Sequence, residues 1–415
     1  MLSAQTTLQQ VHFSIADKNT FQQQVLLYFA EVQNVVFINK NNDEANLIAI
    51  ANQSQLKTNG WKFGFVSYDY KNKIETQLNS NNIDGVQFAE KHLFSPELLF
   101  EITNKQVLIY FDDDIYNEHQ IKTLFAEIND LKPDFTLSKS IKITARLSKE
   151  EYLNKVKALQ QHIQLGDIYE VNFCQEFYAE QVQINPLALY FKLNEKSPTP
   201  FSCFVKHNDN YLLCASPERF IKKVGDKIIS QPIKGTIKRG LTEQEDEVLK
   251  QQLQNDPKER SENVMIVDLV RNDLTKIAEK NSVNVDELFG IYTFPQVHQL
   301  ISTVSAIIKK DIAFEEVLNA TFPMGSMTGA PKVRAMELIE EYETTKRGLY
   351  SGTVGYINDN GDFDFNVVIR SITYNQKNNY LSYMVGGAIT ALSDPEKEYE
   401  ECLLKAKAMK EVLSE

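Results

Sequence analysis

The chain has 415 residues, enough for two or three domains and a large buried core. Its 44 basic and 56 acidic residues give a net charge of −12, which argues against nucleic acid or an anionic membrane as its main partner. No apolar run approaches the roughly 18 residues of a membrane span.

The N-terminal stretch lacks a basic and apolar leader pattern, and Cys174, Cys203, Cys214 and Cys402 are scattered without metal or disulfide spacing. A reducing, cytoplasmic location is therefore expected. In chain order, strand patterns fall at 34–38, 62–68 and 107–111. A polar stretch at 133–140 reads as the seam between an N-terminal region, 1–140, and a catalytic region, 141–415. A helix is predicted over 149–165, strands over 211–215 and 228–232, and a long helix over 257–280. Helices at 313–320 and 331–341 follow, then strands at 350–357, 364–373 and 380–388, and a last helix at 395–413. Strands do not alternate strictly with helices, and Asn360-Gly361 supplies hairpin turn chemistry, so an α+β fold is expected.

Four local patterns carry chemistry. Lys234 stands in Gln231-Pro-Ile-Lys-Gly-Thr236, where a proline and a Gly-Thr turn restrain the backbone under its amine. Asp256-Pro257 and Asp394-Pro395 open two helices alike, with Glu259/Glu262 and Glu398/Glu401 each sharing a face. Dipole-favoured acidic first turns, worth about 0.3–1 kcal/mol each, explain these pairs as well as a cation site does. Gly325 to Pro331 is a glycine-bearing turn entering a helix, a geometry that offers N–H groups to an anion, although the spacing to Lys332 is not that of a phosphate loop. Arg370 lies in the apolar run 367–372 and needs either a core ion pair or a ligand anion.

These patterns, with Ser216-Pro-Glu-Arg-Phe220, Ser261–Asp268 running into Arg271-Asn-Asp273, Gly352-Thr-Val-Gly-Tyr356 and Gly386-Gly-Ala-Ile389, resemble the chorismate-utilising enzymes in the same order. Gly60-Trp-Lys-Phe-Gly-Phe65 extends the resemblance, more weakly, into the first third. It implies two large stacked antiparallel sheets flanked by helices, with the active site in a cleft between subdomains. It implies Mg²⁺ as cofactor, held nearest by Glu262 and Glu401 with Glu259 and Glu398 close by. The enolpyruvyl carboxylate of chorismate is expected on Arg370, Tyr356, Gly386 and Gly387, with Ser326, Gly329, Gly235 and Thr236 lining the substrate site. Glu218 and His298 are the alternative general acids for the departing C4 hydroxyl.

Lysine at 234 matches the aminodeoxychorismate branch, in which the amine attacks C2 before ammonia enters C4; anthranilate synthases typically carry alanine there. Its pKa is expected to be lowered by desolvation and by Mg²⁺. Glu170 stands where water-using relatives place a lysine base and where glutamine is often seen, and its role is open. No cysteine has a glutaminase context, so ammonia is expected from a separate class I glutaminase subunit. The alternatives are anthranilate synthesis and a non-catalytic chorismate-binding subunit.

Overall fold

The computed structural model describes residues 8–414 apart from Asp43, 136–139 and 295–296; part of the expected seam at 133–140 thus lies outside the described residues. Among these residues the chain builds a twelve-stranded sheet and a nine-stranded sheet, both with antiparallel ladders. The larger sheet places Asn34–Asn39, Phe201–His207, Asn210–Ser216, Ser371–Asn375, Tyr380–Ile389 and Glu170–Ala179 side by side. The smaller runs from Ile233–Lys238 and Val297–Ile307 through Arg219–Val224 and Phe363–Asn366 to Thr353–Ile357 and Lys62–Val66.

The two sheets stack face to face. Val36, Ala49, Val205 and Leu212 of the larger pack against Phe63, Phe65, Phe94 and Val354 of the smaller in one buried cluster. Helices close both outer faces. Tyr152, Val156 and Leu159 of the helix Lys149–Leu165 cover the larger sheet, and Ile266, Val267 and Val270 of Pro257–Thr275 cover the smaller. Strands that lie between two layers show continuous burial, as in Glu170–Ala179 and Tyr380–Ile389, because both faces are covered. The α+β expectation and the stacked-sheet architecture both hold. Strands from before and after residue 140 share both sheets: Asn34–Asn39 pairs with Phe201–His207, and Lys62–Val66 with Thr353–Ile357.

Local signals explain most helix ends. Asp256 accepts hydrogen bonds from the Lys258 and Glu259 amides, and Asp394 from those of Glu396 and Lys397, each followed by proline at the first helical position. The expected strand 364–373 is two strands, Phe363–Asn366 and Ser371–Asn375, and the residues between them carry the chain from the smaller sheet to the larger. The final helix breaks at Ala406 into Pro395–Lys405 and Lys407–Ser414. Helices Lys18–Tyr28, Glu118–Asn129, Pro186–Lys196 and Glu243–Asn255 have no counterpart in the expected elements.

Candidate active site

Two crossings between the sheets set up the site. One, at Pro217–Glu218, joins Asn210–Ser216 to Arg219–Val224; the other is 367–370. They are laced together: Val367 N donates to Glu218 O at 3.0 Å, and Ala215 N donates to Arg370 O at 3.2 Å. Arg370 adopts φ +50°, a left-handed conformation that a non-glycine residue holds only when its surroundings impose it. Its guanidinium has no ion-pair partner among the described residues. Burial lowers its pKa, and the one charge that opposes this is Glu218. A desolvated guanidinium without a carboxylate is a ready place for a ligand anion.

Glu218 is buried, and Ser326 Oγ donates to its Oε1 at 2.7 Å. Burial pushes its pKa up to about 7, against the opposing effects of Ser326, Lys234 and Arg370. A carboxyl of this kind holds a proton near neutrality and can release it.

Lys234 lies across the cleft on the edge strand Ile233–Lys238, and its Nζ donates to Glu170 Oε1 at 2.7 Å. The two side chains are 9% and 1% exposed, so this is a buried ion pair. The pKa of Lys234 is raised, not lowered as expected. Desolvation does push it down, but Glu170, Glu262 and Glu218 together outweigh that effect. Glu170 Oε2 is buried with no partner. Gly235 has φ +88°, which a side chain would strain, and a Cβ there would lie 3.0 Å from Glu259 Oε2. Thr236, the next residue, is exposed.

The four glutamates lie on the opening turns of the helices Pro257–Thr275 and Pro395–Lys405. Glu262 and Glu398 are buried, and Glu401 is exposed. Burial pushes the pKa of Glu262 up to about 7, and its Oε1 is buried without a hydrogen-bond partner. Gly387 opens space among them: a Cβ there would lie 3.5 Å from Glu398 Oε2 and 3.8 Å from Glu401 Oε1. This all-oxygen donor set, with an orphaned carboxylate oxygen and a glycine that leaves room, fits a hard divalent cation. Among the described residues no three carboxylates stand in ready ligand geometry. Lysines draw them apart: Lys258 Nζ lies 3.1 Å from Glu398 Oε1 and 3.8 Å from Glu262 Oε1, while Lys405 pairs with Glu401 at 2.8 Å.

Gly386 pairs with Cys174 on the neighbouring strand of the larger sheet, and a Cβ on it would lie 2.5 Å from Cys174 Sγ. The turn 325–330 serves as an edge for this sheet. Thr328 O and Ala330 O accept from the Asn172 and Tyr169 amides, and a Cβ on Gly329 would lie 2.2 Å from Glu170 O. Its glycine thus allows close packing behind Glu170. Lys332 is turned away from the site and pairs with Asp273.

Two expected site residues lie elsewhere. His298 uses both ring nitrogens, one with Thr293 Oγ1 at 2.9 Å and the other with Asp246 Oδ1 at 2.8 Å, on the helix side of its strand. Both ring nitrogens of His298 are thus engaged within the smaller sheet and a helix covering it. The variant His298→Asn is expected to lower the urea midpoint of unfolding, because it breaks the contacts to Thr293 and Asp246. Strand alternation turns the adjacent Gln299 to the other side, opposite Thr236, where its buried Oε1 has no partner. Tyr356 stacks on Phe63 and lines a different cavity of about 210 Å³ with Arg219, Asp364 and Asn366. Tyr350 lies closer to Gly386, its hydroxyl 3.7 Å from Cys174 Sγ. The strand expected over 350–357 begins only at Thr353, and Tyr350 lies in the turn before it.

The fold and site together define a stacked-sheet protein with an anion-ready cleft where the chain crosses between its sheets. A family model for chorismate binding enzymes matches residues 6–411, and the chain belongs to that family. It is 38% identical over 344 residues to aminodeoxychorismate synthase component 1 of Klebsiella aerogenes, covering 82% of this chain and 74% of that protein. It is 42% identical over 287 residues to a probable chloroplastic aminodeoxychorismate synthase of Oryza sativa subsp. japonica, of which it spans 32%. The chain thus spans about a third of the length of that plant relative. Its fold is similar to the crystal structure of anthranilate synthase component I from Streptococcus pneumoniae TIGR4, with a TM-score of 0.75 at 24% identity over 99% of this chain and 93% of that one. No helix among the described residues is long and apolar enough to cross a membrane.

Proposed function

We propose that the chain converts chorismate and ammonia into 4-amino-4-deoxychorismate, with the ammonia supplied by a partner glutaminase. The observation that carries this reading is the buried amine of Lys234, held by Glu170 in the cleft that also contains Glu218 and Arg370. The names of the bacterial and plant relatives support it.

Arg370 receives a carboxylate of the substrate and fixes its register between the sheets. Glu218 protonates the C4 hydroxyl as it leaves, because a buried carboxyl that titrates near 7 is a competent acid at neutral pH. Ser326 orients that carboxyl through its hydrogen bond. Lys234 adds to C2 as the hydroxyl departs, and ammonia then enters C4 and displaces the lysine. Two allylic displacements place nitrogen para to the ring carboxylate, whereas one direct addition at C2 places it ortho. Glu262, Glu398, Glu401 and Glu259 would hold Mg²⁺, which when bound neutralises the ring carboxylate of the substrate amid these glutamates.

Glu262→Gln is expected to raise the Mg²⁺ concentration for half-maximal turnover by about tenfold or more, the scale seen when a metal site loses a supporting group. Calorimetric titration with Mg²⁺ should show the same weakening. Unchanged Mg²⁺ dependence would return Glu262 to helix-start chemistry. The activity is tested by incubating the protein with chorismate, Mg²⁺ and an ammonium salt. A product that an added aminodeoxychorismate lyase converts to 4-aminobenzoate supports the reading. Fluorescent anthranilate as the main product overturns it.

A further inference from the structure

A lysine paired with a carboxylate at 2.7 Å and shielded from water is an ammonium ion, and an ammonium ion cannot attack carbon. The nucleophile needs an acceptor for its proton at the moment of attack. Bulk water cannot provide one, because Lys234 is 9% exposed and its partner 1%. From this geometry we infer that Glu170 is the general base of Lys234, removing its proton for the first displacement and returning it after the second. The inference rests on the aminodeoxychorismate reading above.

The charges facing the pair come from several elements. Glu218 belongs to the first sheet crossing, Glu262 and Glu259 to the helix Pro257–Thr275, and Glu401 to the helix Pro395–Lys405. Arg370 faces Glu218. Among these, only Glu170 has an oxygen within hydrogen-bond distance of the amine. Its other oxygen, Oε2, is buried and unpartnered, and so is free to accept from an incoming N–H donor such as ammonia.

The proton and electron count closes over one cycle. Glu170 Oε1 takes a proton from Lys234, and the neutral amine forms a C–N bond at C2. The C4–O bond breaks, and the hydroxyl leaves as water with a proton from Glu218. Ammonia then forms the C4–N bond as the C2–N bond breaks, and that electron pair returns to the Lys234 nitrogen. Lys234 regains its proton from Glu170, and the new C4 ammonium gives its extra proton to the Glu218 carboxylate. The sum is chorismate plus ammonia giving aminodeoxychorismate plus water, with every side chain restored.

Glu170→Gln keeps the shape and removes the base. The readout is the rate of adduct formation on Lys234 with chorismate and Mg²⁺ but no ammonia, followed by mass spectrometry of the peptide carrying Lys234. The useful quantity is the ratio of variant to parent rate across pH 6 to 9, because limbs common to both, such as that of Glu218, cancel. With an internal base, the parent needs no deprotonation by solvent, while the variant does. The ratio is therefore expected to be well below one at pH 6 and to rise about tenfold per pH unit, as a single lost proton requires. A ratio that stays constant with pH, at any value, overturns the inference and leaves Glu170 a structural partner. If the variant forms no adduct at any pH, acetylation of Lys234 against pH decides: an apparent pKa lower than in the parent upholds the pairing, and an unchanged one overturns it. A parent protein that forms no adduct, or no para-amino product with ammonia, instead counts against the proposed reaction itself.

Discussion

Lys234→Ala is expected to lose 4-amino-4-deoxychorismate formation by about 10³-fold or more, the scale of removing one member of a covalent catalytic unit. Without an amine at 234, the first displacement cannot occur, and ammonia or water can reach C2 only directly. Slow formation of C2-substituted products is therefore expected in the same variant. The fold should survive, since the pairing of Ile233–Lys238 with Val297–Ile307 does not depend on the side chain at 234. The cost lies in the neighbouring carboxylates, which lose a compensating cation among Glu170, Glu218 and Glu262. A circular-dichroism melt separates that structural cost from the chemical one. Wild-type rates of para-amino product from this variant would rule out the covalent route.

Arg370→Lys is expected to lose about 1.5–3 kcal/mol of chorismate binding, the range for a hydrogen bond to a charged group. That corresponds to roughly 10- to 150-fold in apparent affinity. A guanidinium holds a carboxylate through two parallel N–H bonds, and an ammonium cannot reproduce that fork. Because Arg370 has no ion-pair partner among the described residues, the substitution should cost little stability. A variant that binds chorismate normally would remove Arg370 from the substrate site.

What the sequence disclosed, and what it hid, follows from the range of each interaction. Lys234 and the two Asp-Pro helix starts were legible because turn and cap chemistry is local to a few residues. The partners of His298 were hidden because one of them, Asp246, lies 52 residues earlier on a separate helix. The protonation state of Lys234 was misjudged for a similar reason: desolvation can be guessed from burial, but Glu170 is 64 residues distant in sequence. The sheet crossing at 367–370 was hidden because Val367 and Val368 stay buried through it, and a run that stays apolar while changing sheets reads as one strand. Tyr356 and Tyr350 both sit in a glycine-rich stretch, and only the register against Phe63 shows that Tyr356 faces another cavity.

The most direct measurement is turnover of chorismate with Mg²⁺ and ¹⁵N-ammonium, followed by NMR of the product ring. A buried lysine nucleophile requires the label on C4, para to the ring carboxylate, with no label retained on the protein after turnover. Label on C2 would contradict it, because nitrogen would then have entered the ring without Lys234.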